Sequence, residues 1–338
     1  MNPTQTAGKN EEYFSGRTVL VTGATGFIGT PLTGVLVRIG ACVHAVSRSG
    51  EGERGENIRW WKGDLEDLDV TRKILRQVKP SIIIHLAGHA WGTQDLSSVP
   101  STFYGCLATT VNVLTAAAES GCPRIVLPGS LEEPEGSDAI PNSPYSAAKW
   151  ACSVYGKMFH KIFTVQVVQT RIFMAYGPGQ NDRKVIPYMV LSLLQGHSPV
   201  LQSQKRIVDW IYIDDVVEGI ITSSRLDTHD HRPIDIGSGV GMSIGSVAEK
   251  LCRLMNTDPC IRAEEEPTRH DEVVRVADIE STYRRTGWRA QIPLEVGLLK
   301  TIAWYKQRWN PTQEVGSGSS KAGFTFKSDR NEKKGAGS

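Results

Sequence analysis

The sequence predicts an α/β protein with a doubly wound parallel sheet, followed by a smaller α/β domain. Short apolar runs alternate with helical patterns, as in repeated strand–helix–strand units. The first run, RTVLVTG at 17–23, ends in glycine, and a helical pattern begins near Phe27. The run SIIIHLAG at 81–88 is almost wholly apolar, which is typical of a strand covered on both faces of a parallel sheet.

The other elements follow in chain order. Further strands are predicted at 41–47, 124–130 and 165–173, and helices near 70–78, at 103–120 and at 145–163. After Tyr176 the alternation loosens. DWIYIDD at 209–215 and RPIDIGSG at 232–239 are predicted to return strands to the main sheet.

These patterns divide the 338-residue chain into four parts. Residues 1–16 are expected to form a flexible lead, and 17–176 the main domain, rejoined by 207–237. Residues 177–310 form most of the smaller domain. The polar, glycine-rich segment 311–338 is expected to be disordered.

Composition excludes several classes of protein. The net charge is +2 and no block of like charge stands out, so nucleic acid is not expected as a partner. No apolar run is long enough to span a bilayer, and the polar N-terminus is unlike a signal peptide. Neither the six cysteines nor the eight histidines show metal-ligand spacing, so no metal is expected. These observations favour a cytoplasmic protein.

The turn VLVTGATGFIG joins the first strand to the first helix. Gly23, Gly26 and Gly29 have the spacing G-x-x-G-x-x-G. Glycines at such a turn let the backbone approach a pyrophosphate, and the helix N-terminus faces the phosphate charge. A glycine-rich turn without a ligand is the alternative, but the strand–helix context favours a dinucleotide site.

The end of the second strand bears on cofactor choice. An NAD site usually has a carboxylate there for the ribose hydroxyl, whereas this sequence has Ser47 and Arg48. A hydroxyl and a guanidinium suit a 2′-phosphate, so NADP(H) is expected over NAD(H), with a solvated surface arginine as the alternative. Asp64 and Leu65 are candidates to bind the edge of the adenine ring. The alternative for Asp64 is a capping role within the loop.

Taken together, the ordered motifs resemble an extended short-chain dehydrogenase/reductase, the NAD(P)-dependent group that acts on nucleotide sugars. The motifs are GATGFIG (23–29), HLAG (85–88), Tyr145-x-x-x-Lys149, YGPG (176–179), DWIYIDD and ADIESTYRRTGW (277–288). The resemblance runs from about Arg17 to Gln307. It implies a Rossmann-type first domain, a substrate-binding second domain, and a homodimer formed through a four-helix bundle by the helices at 103–120 and 145–163.

The resemblance also implies roles for individual residues. Tyr145 would exchange a proton with the substrate oxygen. Lys149, one helical turn away, would lower the pKa of Tyr145 and hold the nicotinamide ribose, while Ser130 would hydrogen-bond the same substrate oxygen. The expected cofactor-binding residues are Gly23, Thr25, Gly26, Phe27, Ile28, Gly29, Ser47, Arg48, Asp64, Leu65, Leu86, Ala87, Gly88, Tyr145 and Lys149.

Glu132 is open to several interpretations. GSLEEPEG resembles both the G-S-x-E-E-Y-G stretch of nucleoside-diphosphate 4-keto-6-deoxyhexose reductases and the T-x-E of 4,6-dehydratases, where glutamate removes the C5 proton. Leu131 stands where dehydratases of the thymidine series have an acid. A solvated loop carboxylate is the remaining alternative.

The family pattern changes where the nucleotide diphosphate binds. Met174 replaces an asparagine and Val208 replaces an arginine. Arg171, Arg206 and Arg269 are the remaining candidates to bind substrate, with a surface role as the alternative for each.

These residues predict NADPH-dependent reduction of a nucleotide-activated 4-keto-6-deoxy sugar at C4, an oxidoreductase step of deoxysugar biosynthesis. The alternative within the family is an epimerase or 4,6-dehydratase with a tightly held NAD(P). A non-catalytic NADP-binding regulator is a third hypothesis, but the intact Ser130, Tyr145 and Lys149 set argues against it.

Overall fold

The structure is a computed structural model that describes residues 3–52, 57–89, 92–136, 138–163, 165–201, 203–227, 232–257, 262–263 and 274–309. The strands are β1 (Thr18–Thr22), β2 (Cys42–Ser47), β3 (Ile58–Lys62), β4 (Ile82–His85), β5 (Arg124–Ser130), β6 (Gln166–Ile172), β7 (Met174–Tyr176), β8 (Val200–Leu201), β9 (Ile207–Tyr212), β10 (Ile234–Ile236), β11 (Gly241–Ser243) and β12 (Arg262–Ala263). The helices are α1 (Pro3–Phe14), α2 (Gly29–Arg38), α3 (Leu68–Val78), α4 (Ser98–Thr102), α5 (Thr109–Ser120), α6 (Pro144–Ile162), α7 (Val185–Leu194), α8 (Ile213–Ser223), α9 (Ile244–Met255), α10 (Ile279–Thr286) and α11 (Leu294–Arg308).

In the described part of the chain, seven strands form the main sheet in the order β10-β6-β5-β4-β1-β2-β3. Every pairing in this sheet is parallel, which confirms the predicted fold class. The carboxyl ends of these strands therefore meet at one edge, where ligands of such folds bind. The turn after β1, the HLAG segment after β4 and Ser130 at the end of β5 all lie at this edge.

Helices cover both faces of the sheet. Val19 and Val21 of β1 face an apolar cluster that includes Leu32 of α2, whereas Leu20 faces a second cluster that includes Leu114 of α5. Alternate residues of one strand are thus buried on opposite sides. This two-sided burial is the physical reason for the nearly continuous apolar runs in the sequence.

Two segments differ from the sequence-based expectation. The expected flexible lead instead contains α1, whose Phe14 is fully buried, and Asn10 donates hydrogen bonds to Glu218 (2.7 Å) and Thr222 (3.3 Å) of α8. Strand β3 was not predicted because its sequence, IRWWK, lies in a polar stretch at the edge of the sheet and is only partly buried.

The long helix predicted at 103–120 begins earlier, at Ser98. It runs without interruption through α4, a π-helical segment at Phe103–Ala108 and α5. Gly121, with φ of +71°, ends it in the left-handed conformation that glycine adopts readily.

The two segments expected to rejoin the main sheet, at 209–215 and 232–239, belong to different sheets in the structure. β10 pairs with β6 in the main sheet, but β9 lies between β7 and β11 in a second, three-stranded sheet. Asp209 of β9 is fully buried and accepts hydrogen bonds from the backbone amides of Ser238, Gly239 and Ala277. The DWIYIDD motif therefore fixes the segments that follow β10 and precede α10. The expected disordered tail at 311–338 lies outside the described residues.

Candidate active site

The glycine turn has a geometry that only glycine permits at two positions. Gly23 has φ of +63°, and a Cβ atom there would lie 2.7 Å from the Ala87 backbone nitrogen. A Cβ atom at Gly29 would lie 2.2 Å from the Gly23 carbonyl oxygen. The first glycine thus lets β1 and the end of β4 approach closely, and the last lets α2 pack against the turn.

This turn leaves a cradle suited to a dinucleotide. Thr25 and Gly26 are exposed, whereas Phe27 and Ile28 are half-buried against the core. Helix α2 begins at Gly29 without a side-chain cap, and the Thr30 amide donates to the Gly26 carbonyl (3.0 Å), so the turn itself closes the first turn of the helix whose N-terminus faces the cradle. Leu86, Ala87 and Gly88 lie opposite, directly after β4, so this part of the predicted set is brought together.

The end of β2 fits the expected 2′-phosphate site only in part. Ser47 is buried, and its hydroxyl accepts hydrogen bonds from the amides of Gly50 (3.0 Å) and Glu51 (3.1 Å). It is therefore part of a local turn, which sequence alone did not reveal. Arg48 is exposed beside it and remains the group that suits a phosphate.

The loop after β3 also has a structural role. Asp64 is exposed and its carboxylate accepts a hydrogen bond from the Glu66 amide (3.1 Å), the turn-capping arrangement that was the alternative interpretation. Leu65 is buried, and Asn112 of α5 donates to its carbonyl (2.9 Å). Contact of this loop with adenine stays a prediction.

Ser130, Tyr145 and Lys149 are brought together between β5 and α6. Ser143 caps α6 by accepting a hydrogen bond from the Ser146 amide (3.1 Å), and Pro144 occupies the first turn. Tyr145 and Lys149 follow one turn apart, and Ser130 lies close enough to Tyr145 for its hydroxyl to influence the pKa of the phenol. The Lys149 ammonium donates to the Pro128 carbonyl of β5 (3.0 Å).

The electrostatics of this group are set by burial and by its own members. Burial raises the pKa of Tyr145 above its ordinary value, although the Lys149 charge and the nearby Ser130 hydroxyl act to lower it. Burial acts to lower the pKa of Lys149, but the Tyr145 phenol, two nearby thiols and the Glu133 carboxylate raise it above its ordinary value. At neutral pH the pair therefore holds both protons, and Tyr145 is able to donate one.

Glu132 lies beside the same group and faces two cations. Its backbone amide donates to the Ser130 hydroxyl (3.2 Å), and its carboxylate lies 4.0 Å from the guanidinium of Arg206. Burial lowers the pKa of Lys184, while the Glu132 charge acts to raise it. Glu132 is thus part of a charged cluster with Arg206, whose role in substrate binding stays a prediction. Lys184 was missed because nothing in the sequence NDRKVIP distinguishes it from a surface lysine.

The structure gives Arg171 a different environment from the predicted one. Its guanidinium lies 2.7 Å from Glu135 and 3.6 Å from Asp235, so it is engaged in ion pairs rather than free for substrate. Arg269 lies outside the described residues. Sequence reasoning also missed Arg275, which donates to the Leu131 and Glu133 carbonyls (2.7 Å each) and so closes over the Ser130 loop.

His85 joins the strands at the glycine turn to a neighbouring helix through two threonine hydroxyls. It is buried, and its ring nitrogens contact the hydroxyls of Thr22 (2.7 Å) and Thr110 (3.2 Å). Thr22 also accepts a hydrogen bond from the Ala87 amide (3.1 Å). The HLAG histidine therefore links β1, β4 and α5 at the end of β4.

The described residues also bear on metal sites and on membrane spans. Within the described ranges, no three histidine, cysteine, aspartate or glutamate side chains come together in a way that suits a metal ion. Among the helices described, none combines the length and the apolar character needed to span a bilayer.

Relatives of known function match most of the chain. The dTDP-glucose 4,6-dehydratase of Haemophilus influenzae is 25% identical over 335 residues, which cover 85% of this chain and 97% of the relative. The UDP-glucuronate 4-epimerase of Thermodesulfobacterium geofontis is 25% identical over 315 residues, which cover 85% of this chain and 96% of the relative.

Solved structures support the fold. The UDP-glucose 4-epimerase of Thermus thermophilus, determined in complex with NAD, has a TM-score of 0.76 and 21% identity. The match covers 86% of this chain and 99% of that one. The curated relatives are nucleotide-sugar epimerases and dehydratases. They therefore agree with the alternative activity predicted from the sequence better than with reduction at C4.

The family-level comparison covers most of the main sheet. The profile described as "NAD dependent epimerase/dehydratase family" matches residues 19–237, which is more than half of the chain. The chain therefore belongs to the NAD-dependent epimerase/dehydratase family and is an enzyme of the extended short-chain dehydrogenase/reductase type.

Proposed function

We propose that the protein converts a nucleotide sugar through a 4-keto intermediate, with a nicotinamide cofactor that is reduced and reoxidised within one turnover. The observation that carries this proposal is the grouping of Ser130, Tyr145 and Lys149 at the edge of the sheet that also holds the glycine turn. The activities of the two curated relatives agree with it, since both act on nucleotide sugars. When bound, NAD(P) accepts a hydride from the sugar and returns it.

The residues of the chain would handle the proton and the position of the sugar. In its ionised form, which the Lys149 charge favours, Tyr145 removes the proton of the C4 hydroxyl during oxidation, and the protonated phenol returns a proton during reduction. Ser130 hydrogen-bonds the same oxygen and fixes the distance over which the proton moves. Lys149 stabilises the ionised phenol, as the effect of its charge on the pKa of Tyr145 indicates.

A 4-epimerase is the form of this chemistry that the site favours. Epimerisation needs the Ser130, Tyr145 and Lys149 set and no further acid or base. Leu131 packs against the apolar core and its carbonyl accepts from Arg275, so it offers no acid to a leaving C6 hydroxyl.

A 4,6-dehydratase is the second candidate because of Glu132. Its carboxylate acts to raise the pKa of Tyr145, which places it beside the reacting group as a C5 base must be, and it lies 4.0 Å from the guanidinium of Arg206. The NADPH-dependent C4 reductase predicted from sequence rests on Arg48, now without help from the Ser47 hydroxyl. The expected preference for NADP(H) over NAD(H) is also part of this proposal, and it too rests on Arg48.

One experiment separates the three reactions. The protein is incubated in heavy water with NAD⁺ or NADPH and a panel of UDP- and dTDP-hexoses and their 4-keto-6-deoxy derivatives, and the sugars are examined by mass spectrometry and NMR. A C4 epimer without deuterium and without net cofactor change identifies the epimerase. Deuterium at C5 of a 4-keto-6-deoxy product identifies the dehydratase, and stoichiometric loss of NADPH identifies the reductase.

The matched variants are Tyr145→Phe and Tyr155→Phe, since Tyr155 is an exposed tyrosine on the same helix. Tyr145→Phe should lower turnover by roughly 10²–10⁴-fold, the usual value of acid–base catalysis, while Tyr155→Phe keeps it. Turnover by Tyr145→Phe within tenfold of wild type would contradict the proposal for every reaction in the panel.

We also infer a homodimer formed through the outer face of α4, the π-helical segment and α6. Phe103 (49% exposed), Val154 (51%) and Tyr155 (39%) present large apolar side chains there. A cavity of about 680 Å³ lies on the same face, between Val99, Phe103 and Ala147. Exposed apolar surface of this kind marks interaction sites, and a second copy of the same face would cover it.

A further inference from the structure

We propose that Glu133 is a positioning residue that holds Ser130 against the helix carrying Tyr145 and Lys149. This inference rests on the proposed function, because it concerns how the same three residues are kept in register. Sequence analysis considered only Glu132, the neighbouring carboxylate.

The first support is the pair of hydrogen bonds that Glu133 accepts. Its Oε1 accepts from the Ser130 backbone amide at 2.7 Å, and its Oε2 accepts from the Ser153 hydroxyl at 2.6 Å. Glu133 is only 7% exposed, although it belongs to a loop. A buried carboxylate retained in this way has both oxygens committed to partners.

The second support is where those partners lie. Ser130 is the last residue of β5, and Ser153 lies four residues after Lys149 and eight after Tyr145 on α6. Residues at these spacings share one face of a helix. One carboxylate therefore connects the end of the strand that carries Ser130 to the face of the helix that carries the other two residues.

The third support is the space left for the carboxylate. A Cβ atom at Gly129 would lie 2.2 Å from Glu133 Oε1, so the chain has no side chain where the carboxylate sits. On the outer side, Arg275 donates to the Glu133 carbonyl at 2.7 Å. Both the side chain and the backbone of Glu133 are thus fixed from independent elements.

The charge of Glu133 adds a second consequence. Burial acts to lower the pKa of Lys149, and Glu133 is one of the groups that act to raise it. Removal of this negative charge should favour loss of a proton from the Tyr145–Lys149 pair. The first apparent pKa of that pair should therefore fall.

The test compares variants that separate geometry from charge. Glu133→Gln keeps an acceptor for the Ser130 amide and offers an NH₂ to the Ser153 oxygen, but it removes the charge. Glu133→Ala removes both hydrogen bonds. Ser153→Ala removes the link to α6 alone. Glu119→Gln is the charge control, because Glu119 is a surface carboxylate near the end of α5 that pairs with Arg72 and not with Ser130 or Ser153.

The kinetic readout uses a substrate that the wild-type protein turns over. Glu133→Ala should lower kcat by roughly ten- to a hundredfold, the cost typical of a misplaced catalytic group, with KM and cofactor Kd changed less than about threefold. Ser153→Ala should lower kcat by a smaller factor in the same direction, and Glu119→Gln should not change it. If Glu133→Ala folds and keeps kcat within about threefold, or changes KM and kcat equally, the positioning role is wrong.

The second readout does not depend on the reaction. Tyrosine labelled with ¹³C at Cζ is titrated by NMR in the cofactor-bound protein, and Tyr145→Phe identifies the Tyr145 signal. Glu133→Gln should lower the apparent pKa of that signal through its effect on Lys149, while Glu119→Gln leaves it in place. An unchanged or raised value would overturn the proposal even if the enzyme proves to be an epimerase. A lowered value with no turnover of any nucleotide sugar would instead contradict the proposed function alone.

Discussion

The buried histidine His85 should make the protein less stable as the pH falls from 7 to 5. Burial, and to a smaller extent the Lys149 charge, lower its pKa from 6.5 to about 3. In the unfolded chain the same imidazole binds a proton near its ordinary pKa. Between these two values the unfolded state holds more protons than the folded state. Stability is therefore full above about pH 6.5 and is lost as the pH falls toward 3.

The size of the effect follows from the two pKa values. Integration of the proton-binding difference from pH 7 to pH 5 gives a loss of about 2 kcal/mol, and the loss approaches about 5 kcal/mol below pH 3. The hydrogen bonds explain why the folded protein keeps the ring neutral. Thr110 donates its hydroxyl hydrogen to the Cys106 carbonyl (2.7 Å), so it accepts from Nε2–H of His85. Thr22 accepts from the Ala87 amide, so its own hydrogen points to Nδ1.

The assay is urea unfolding at pH 7 and pH 5 for the wild type, for His85→Asn and for the exposed-histidine control His197→Gln. Asparagine retains an acceptor for Thr22 but does not titrate. The free energy of unfolding of the wild type and of His197→Gln should fall by about 2 kcal/mol more between the two pH values than that of His85→Asn. An equal pH dependence for His85→Asn and the wild type would refute the reasoning.

Three further predictions follow from the same structure. Arg48→Ala should weaken NADPH binding by roughly tenfold and leave NADH within about threefold, measured by fluorescence titration; equal losses for the two cofactors would contradict the phosphate role. Asp209→Ala leaves three backbone amides without their acceptor and should cost about 3 kcal/mol of stability in urea, whereas the exposed Asp214→Ala should cost less than about 0.5 kcal/mol. Phe103→Glu combined with Val154→Glu should convert a dimer to a monomer in sedimentation velocity, and an unchanged species would place the interface elsewhere.

The fold could be predicted in large part because its signals are local. A strand buried on both faces needs consecutive apolar residues, as in SIIIHLAG, and a tight strand–helix turn needs glycines at fixed positions. The same holds for Tyr145 and Lys149, because helical geometry alone places them one turn apart on one face. The segments that were missed, α1 and β3, depend on burial of Phe14 against distant elements and on pairing with β2, which their own sequences do not specify.

Tertiary contacts decided the roles of individual residues at the site. Ser47 resembles a phosphate ligand in sequence, but the turn that follows it supplies two amides to its hydroxyl. Arg171 resembles a substrate ligand, but β10 and the 132–136 loop bring two carboxylates to it.

Glu132 and Glu133 are chemically identical neighbours in the sequence. The sequence alone determined that this chain has a dinucleotide-type α/β sheet with a serine, a tyrosine and a lysine in reach of one another. Only the tertiary structure decided that the first glutamate faces Arg206 in the cleft and that the second is buried between Ser130 and Ser153. The physical reason is that many of their hydrogen-bond partners lie 14 to 142 positions away in the chain, whereas a sequence pattern reports only what lies within a few turns or one strand.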